Sequence, residues 1–131
     1  MVFIDSSFVI ALADEDDQFH ERAMRLLPKL ERTRTLTDLV ISECVSAIGT
    51  RLGVKAGRET FENLMYDPST QVLFSNRRLF ERAEAIFLKF DGALSFADSV
   101  SVRVMYDQKI TQVASFDSDF DRVERVEKIG T

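Results

Sequence analysis

The chain has 131 residues, 45% hydrophobic and 30% charged, enough for one compact core and far from the composition of a disordered chain. Its net charge of −5 argues against a purely electrostatic nucleic-acid binder but not against an enzyme whose acidic residues hold metal ions. A single cysteine, Cys44, excludes an internal disulfide, and no apolar run is long enough to span a membrane.

The opening residues Val2, Phe3 and Ile4 form a continuous apolar run, as expected of a strand buried on both faces, and Asp5 ends it. Because Asp5 interrupts the run and no basic residue precedes it, the segment is a poor signal peptide, and the expected compartment is the cytoplasm. A short helix is expected over 8–13, closed by Asp14-Glu15-Asp16-Asp17. That acidic run reads as a solvated loop ending in an N-cap, because it lacks the Gly and the ligand spacing of a calcium loop. The next helix is expected over 18–31, with Pro28 kinking it or ending it early.

A strand over 34–36 leads through Thr37-Asp38 into a helix over 39–52, which Gly53 stops. Another helix follows over 54–66 and ends at Asp67-Pro68. Residues 71–75 read as a strand, and 77–90 as an amphipathic helix carrying Leu79, Phe80, Ala83, Ile86, Phe87 and Phe90. Helix 95–108, strand 110–116, a short turn or helix over 120–122 and a last strand over 126–129 complete the chain. Strands alternate with helices, which argues for one α/β domain over 1–131 with a mainly parallel sheet and helices on both faces. Eleven Phe and no Trp predict a phenylalanine-rich core.

Four carboxylates stand out. Asp5 and Asp117 each follow an apolar strand, where open parallel sheets bind ligands, although either could simply cap a following helix. Glu43 lies mid-helix on an inward-facing stripe with Leu39, Val40 and Ala47, and the positions where a Lys or Arg partner belongs hold Ser46 and Ala47. Asp98 fits a capping box begun by Ser95, and it also sits on a first helical turn that can overhang a strand edge. If the four converge, each pair about 5 Å apart repels by roughly 3 kcal/mol at an effective dielectric near 20. Mutual protonation relieves this, and a divalent cation relieves it more. Carboxylate-rich oxygen sites suit Mg²⁺ or Mn²⁺, while a chain with one Cys and one His cannot build an ordinary zinc site.

These residues resemble a known family. Phe3-Ile4-Asp5-Ser6-Ser7, Glu43, Leu94-Ser95-Phe96-Ala97-Asp98 and the run from Ala114 to Phe120 are similar, in order and spacing, to the four motifs of PIN-domain ribonucleases. The VapC toxins of toxin–antitoxin pairs are the nearest subgroup. The resemblance implies a three-layer α/β/α sandwich and a metal-dependent endoribonuclease using Mg²⁺ or Mn²⁺. Asp5, Glu43, Asp98 and Asp117 would form its acidic set. Ser7 and Ser115 match hydroxyl positions that line or brace such a site, and Asp119 matches an acidic position that is variably used. The resemblance also implies an RNA substrate, a homodimer and a cognate antitoxin. The alternative is a catalytically silent PIN-like scaffold that binds RNA or protein.

The remaining candidates have plainer explanations. His20, the only histidine, is expected on a helix surface or in a capping role, and Cys44 as a small buried hydrophobe. The basic groups Lys29, Arg32 and Arg34; Arg51, Lys55 and Arg58; and Arg77, Arg78 and Arg82 read as solvated helix faces. Phosphoaspartyl domains also place Asp after a first strand, but position 7 is Ser where the dehalogenase type needs Asp, and a receiver's acidic pair and late Lys are missing.

Overall fold

A computed structural model of the chain describes residues 1–130. Strand β1 (Val2–Ile4) is followed by α1 (Ser6–Ala13) and α2 (His20–Leu26), then β2 (Arg34–Thr37), α3 (Asp38–Leu52) and α4 (Val54–Tyr66). The chain continues through β3 (Thr70–Leu73), α5 (Arg77–Lys89), α6 (Phe96–Gln108), β4 (Gln112–Ala114) and β5 (Glu127–Ile129). The five strands form one parallel sheet in the order β3-β2-β1-β4-β5.

From β1 the chain steps outward to β2 and β3, then returns across the sheet to β4. Right-handed crossovers therefore put α1–α4 and α5–α6 on opposite faces. The packing agrees, since α1 meets α2 and α3, α3 meets α4, and α5 meets α6. The strand order reverses between β1 and β4, so a crevice opens beyond their C-terminal ends.

Local chemistry sets the element ends. Thr37, Asn76 and Ser95 each accept a backbone N–H with their side chains, from Val40, Leu79 and Asp98, and so start α3, α5 and α6. Gly53 joins α3 to α4 at φ +101°, a conformation suited to glycine. The helix expected over 18–31 is shorter: α2 starts at His20, and a 3₁₀ turn over Leu27–Lys29 holds Pro28. Asp17 is not its N-cap. The Asp17 carboxylate instead accepts the Phe19 N–H at 2.9 Å in a local turn.

The acidic run is not simply solvated either. Asp14 is buried, and Arg51 Nη1 reaches both Asp14 at 3.1 Å and Asp17 at 3.0 Å, tying α3 to the loop after α1. Of the eleven Phe, only Phe3, Phe8 and Phe120 are buried in the core, where Val, Ile and Ala outnumber them. Phe80 is exposed at the surface, and Phe80 and Phe87 meet Phe96 edge-on at 5.1 and 5.9 Å, joining α5 to α6.

Candidate active site

Asp5 lies where β1 becomes α1. Its N–H still bonds the Ala114 carbonyl at 3.0 Å, and its side chain caps α1. One carboxylate oxygen, Oδ2, receives the Ser7 hydroxyl at 2.6 Å, the Ser115 hydroxyl at 2.8 Å and the Ser7 N–H at 3.3 Å. Both serines are used twice: Ser7 Oγ accepts the Phe116 N–H and Ser115 Oγ the Asp117 N–H, each at 3.0 Å. Oδ1 has no such donor. Asp5 is buried, so Oδ1 is the oxygen left for a ligand from the crevice. The hydroxyls thus hold one oxygen and leave the other free.

Three more carboxylates gather nearby, and the charges of Asp98 and Asp117 are coupled to that of Asp5. Asp117 caps the 3₁₀ turn Ser118–Arg122 by accepting the Asp119 N–H at 2.9 Å. Asp98 stands in the first turn of α6, its N–H bonded to Ser95 Oγ at 3.0 Å. Carboxylate oxygens of Asp98, Asp117 and Asp119 all lie within 4.8 Å of one another. Burial, followed by the charges of Asp5 and Asp117, pushes the Asp98 carboxyl up to about 7; the Ser95 hydroxyl opposes this and Glu43 adds a little. Asp5 is also raised. Burial is the main cause, the Ser7 and Ser115 hydrogen bonds oppose it, and Asp117 adds to it.

Glu43 differs from the sequence expectation. It is exposed, beside rather than on the buried stripe of Val40, Ile41, Cys44 and Ile48. Its missing partner is Ser6, whose hydroxyl donates to Oε2 at 2.9 Å. Ser6 has no assigned role in the sequence reading. The available signal was a small hydroxyl residue beside Asp5 and a mid-helix Glu with no local cation. Glu43 therefore flanks the cluster from α3, its charge felt at Asp98 and at Cys44.

The nearby candidates are structural. Burial, then Asp5 and Glu43, raise the Cys44 thiol, so it stays neutral and acts as a small hydrophobe. His20 Nδ1 donates to the Ala11 carbonyl at 2.7 Å and so caps the end of α1. Phe116 is stacked between Phe8 at 5.6 Å and Phe19 at 4.7 Å, which secures the loop carrying Ser115 and Asp117 to α1. Arg51, Arg58 and Arg82 are in ion pairs with aspartate or glutamate.

A family model described as the PIN domain matches residues 2–126. The chain belongs to the PIN-domain family. Its fold agrees with solved structures of VapC-type toxins. The VapC20 toxin of Mycobacterium tuberculosis, described as cleaving the sarcin-ricin loop, superposes with a TM-score of 0.86 at 25% identity, over 92% of this chain and 93% of that one. A toxin–antitoxin complex from Klebsiella pneumoniae gives 0.72 at 12% identity, over 97% and 96%. FitAcB from Neisseria gonorrhoeae gives 0.70 at 14% identity, over 98% and 96%. At those lower identities the likeness is one of fold. No curated protein matches the sequence.

The donor set of this PIN domain suits a hard divalent cation. It is all carboxylate oxygen: Asp98, Asp117 and Asp119 form the close group, and Asp5 stands outside that group but near enough for its charge to act on Asp98.

Proposed function

We propose that this PIN domain is a metal-dependent endoribonuclease and the toxin of a toxin–antitoxin pair. The observation that carries the reading is the cluster of Asp98, Asp117 and Asp119, whose carboxylate oxygens lie within 4.8 Å of one another at the crevice where the strand order reverses, with the Asp5 charge adding to what burial does to Asp98. Asp5, Asp98 and Asp117 would hold Mg²⁺ or Mn²⁺, with Asp119 beside them and Glu43 at the flank. When bound, the cation supplies Lewis-acid stabilisation of the phosphodiester and makes water a better nucleophile at neutral pH.

The chain's own groups do the rest. Ser7 and Ser115 lock Asp5 through Oδ2, so that Oδ1 keeps a fixed direction without reorganising during the reaction. The first turn of α6 presents its positive dipole end where negative charge gathers around Asp98. Glu43 Oε1, the oxygen that Ser6 does not bind, takes the proton of the attacking water. As the water oxygen bonds to phosphorus, one P–O ester bond breaks, and solvent protonates the leaving oxygen.

The toxin reading is supported by the likeness to VapC20 and to the toxin–antitoxin complex from Klebsiella pneumoniae. A cognate antitoxin, a homodimer and a cytoplasmic location belong to the same proposal. No helix among the described residues is long and apolar enough to cross a membrane. The test is cleavage of total RNA with Mg²⁺ or Mn²⁺ against EDTA, for wild type, Asp5→Asn and Asp98→Asn. The reading expects metal-dependent cleavage by wild type and its loss in both variants. Unchanged cleavage in the variants rejects the assignment; RNA binding without cleavage by wild type supports a silent scaffold instead.

A further inference from the structure

Ser115 is held through its backbone as well as its hydroxyl. Its N–H donates to the Ile129 carbonyl at 3.0 Å, at the end of β5. The next residue, Gly130, has φ +130°. A Cβ on Gly130 would overlap the Ser115 carbonyl oxygen and lie 3.2 Å from the Ser115 carbonyl carbon and 3.3 Å from Phe116 Cδ1.

That carbonyl belongs to the peptide unit joining Ser115 to Phe116. The N–H of the same unit donates to Ser7 Oγ at 3.0 Å. One rigid plane therefore faces Gly130 on its C=O side and Ser7 on its N–H side. Rotating it to admit a methyl group would pull the N–H from Ser7 and tilt the Ser115 hydroxyl away from Asp5. The positive-φ glycines Gly53 and Gly92 differ, because a Cβ on either meets nothing within 4 Å.

We propose that Gly130 is a positioning residue for the candidate active site. Its missing side chain lets the end of β5 close on the Ser115–Phe116 peptide, and this sets the orientation in which Ser7 and Ser115 hold Asp5. Gly130 touches neither substrate nor metal and acts only through Ser115 and Ser7.

The test compares Gly130→Ala with Gly53→Ala, which carries the backbone strain of a positive φ without the collision. Amide hydrogen exchange is read at Phe116 and Asp117, whose N–H groups bond Ser7 and Ser115. Exchange at both should speed up by roughly tenfold or more in Gly130→Ala and stay near wild type in Gly53→Ala. Full retention at both amides overturns the proposal. So does protection lost evenly through β1 and β2, or an unfolded variant, since the collision would then act on the whole fold.

The kinetic arm rests on the ribonuclease reading. With saturating Mn²⁺, Gly130→Ala should lower kcat for RNA cleavage by roughly tenfold or more with KM nearly unchanged. In a Ser115→Ala background the same substitution should change kcat by less than about twofold. An equal loss in both backgrounds overturns the positioning role. A wild-type protein that cleaves no RNA rejects the nuclease reading, and the exchange data then decide the role of Gly130 by themselves.

Discussion

Replacing Asp98 by asparagine should stabilise the metal-free protein at pH 8 and leave it nearly unchanged near pH 4. Burial and the charges of Asp5 and Asp117 push the Asp98 carboxyl from 3.8 up to about 7. With the folded value above the unfolded one, the group's contribution is complete below about pH 4 and is lost as pH rises through about 7. At about 1.4 kcal/mol per pH unit, an interval of about three pH units is worth roughly 4 kcal/mol. Asp98 is only partly buried, so solvent screening reduces this to about 2 kcal/mol. Asparagine also loses the favourable interaction of a carboxylate with the first turn of α6, about 0.5 kcal/mol. The net gain at pH 8 is about 1.5 kcal/mol, or roughly 5 °C in Tm for a chain of this length. Thermal melts in EDTA at both pH values measure it. No gain at pH 8, or an equal gain near pH 4, would show that Asp98 is not crowded by its neighbours.

Ser115→Ala removes a donor to the Asp5 carboxylate and an acceptor of the Asp117 N–H, and should lower stability in urea by about 2 kcal/mol. A loss below about 0.5 kcal/mol would mean the hydroxyl does not hold Asp5. Arg51→Ala cuts the ties to Asp14 and Asp17 and should cost about 1 kcal/mol, less at high salt, with kcat unchanged. A loss of kcat would instead place Arg51 in the reaction. Phe116→Ala leaves a gap between Phe8 and Phe19 and should destabilise by about 2–3 kcal/mol, seen as an earlier urea midpoint at unchanged m.

What the sequence makes legible here follows from what is local. The apolar run Val2–Ile4 and the β-branched residues before Asp117 announce buried strands, and alternation with helices announces a parallel sheet. The strand ends are less legible. Residues 115 and 116, expected within a strand, lie beyond β4: the Ser115 N–H still bonds Ile129 at the end of β5, but the Phe116 N–H leaves the sheet for Ser7 Oγ. Glu43 was picked out correctly as a carboxylate lacking a local cation, yet its inward direction was wrong. Helical spacing gives a face but not how far the buried stripe extends, and that depends on where α1 and α4 pack against α3. Ser6 and Asp14 stayed hidden for a related reason: their partners Glu43 and Arg51 are each 37 residues away in sequence. Asp119 matches only a variably used acidic position in sequence, and the structure places its carboxylate within 4.8 Å of Asp98 and Asp117. The 3₁₀ turn capped by Asp117 brings it there, and no strand or α-helix period encodes that turn.

The same crowding dictates how the site should respond to a cation. Near neutral pH without metal, the Asp98 carboxyl is about half protonated, so a proton partly neutralises the cluster. A divalent ion needs the deprotonated carboxylate and must displace that proton. Mn²⁺ affinity should therefore fall by about tenfold for each pH unit below about 7 and level off above it. Calorimetry at pH 6 in two buffers of different ionisation enthalpy should report release of about one proton or more per ion bound, because Asp5 is raised as well as Asp98. Asp98→Asn should bind Mn²⁺ more weakly at pH 8 and lose most of the pH dependence between 6 and 8. Wild-type affinity that is flat over that range would mean the ion binds away from Asp98. The pocket formed by Asp5, Asp98 and Asp117 would then not be the one that holds it.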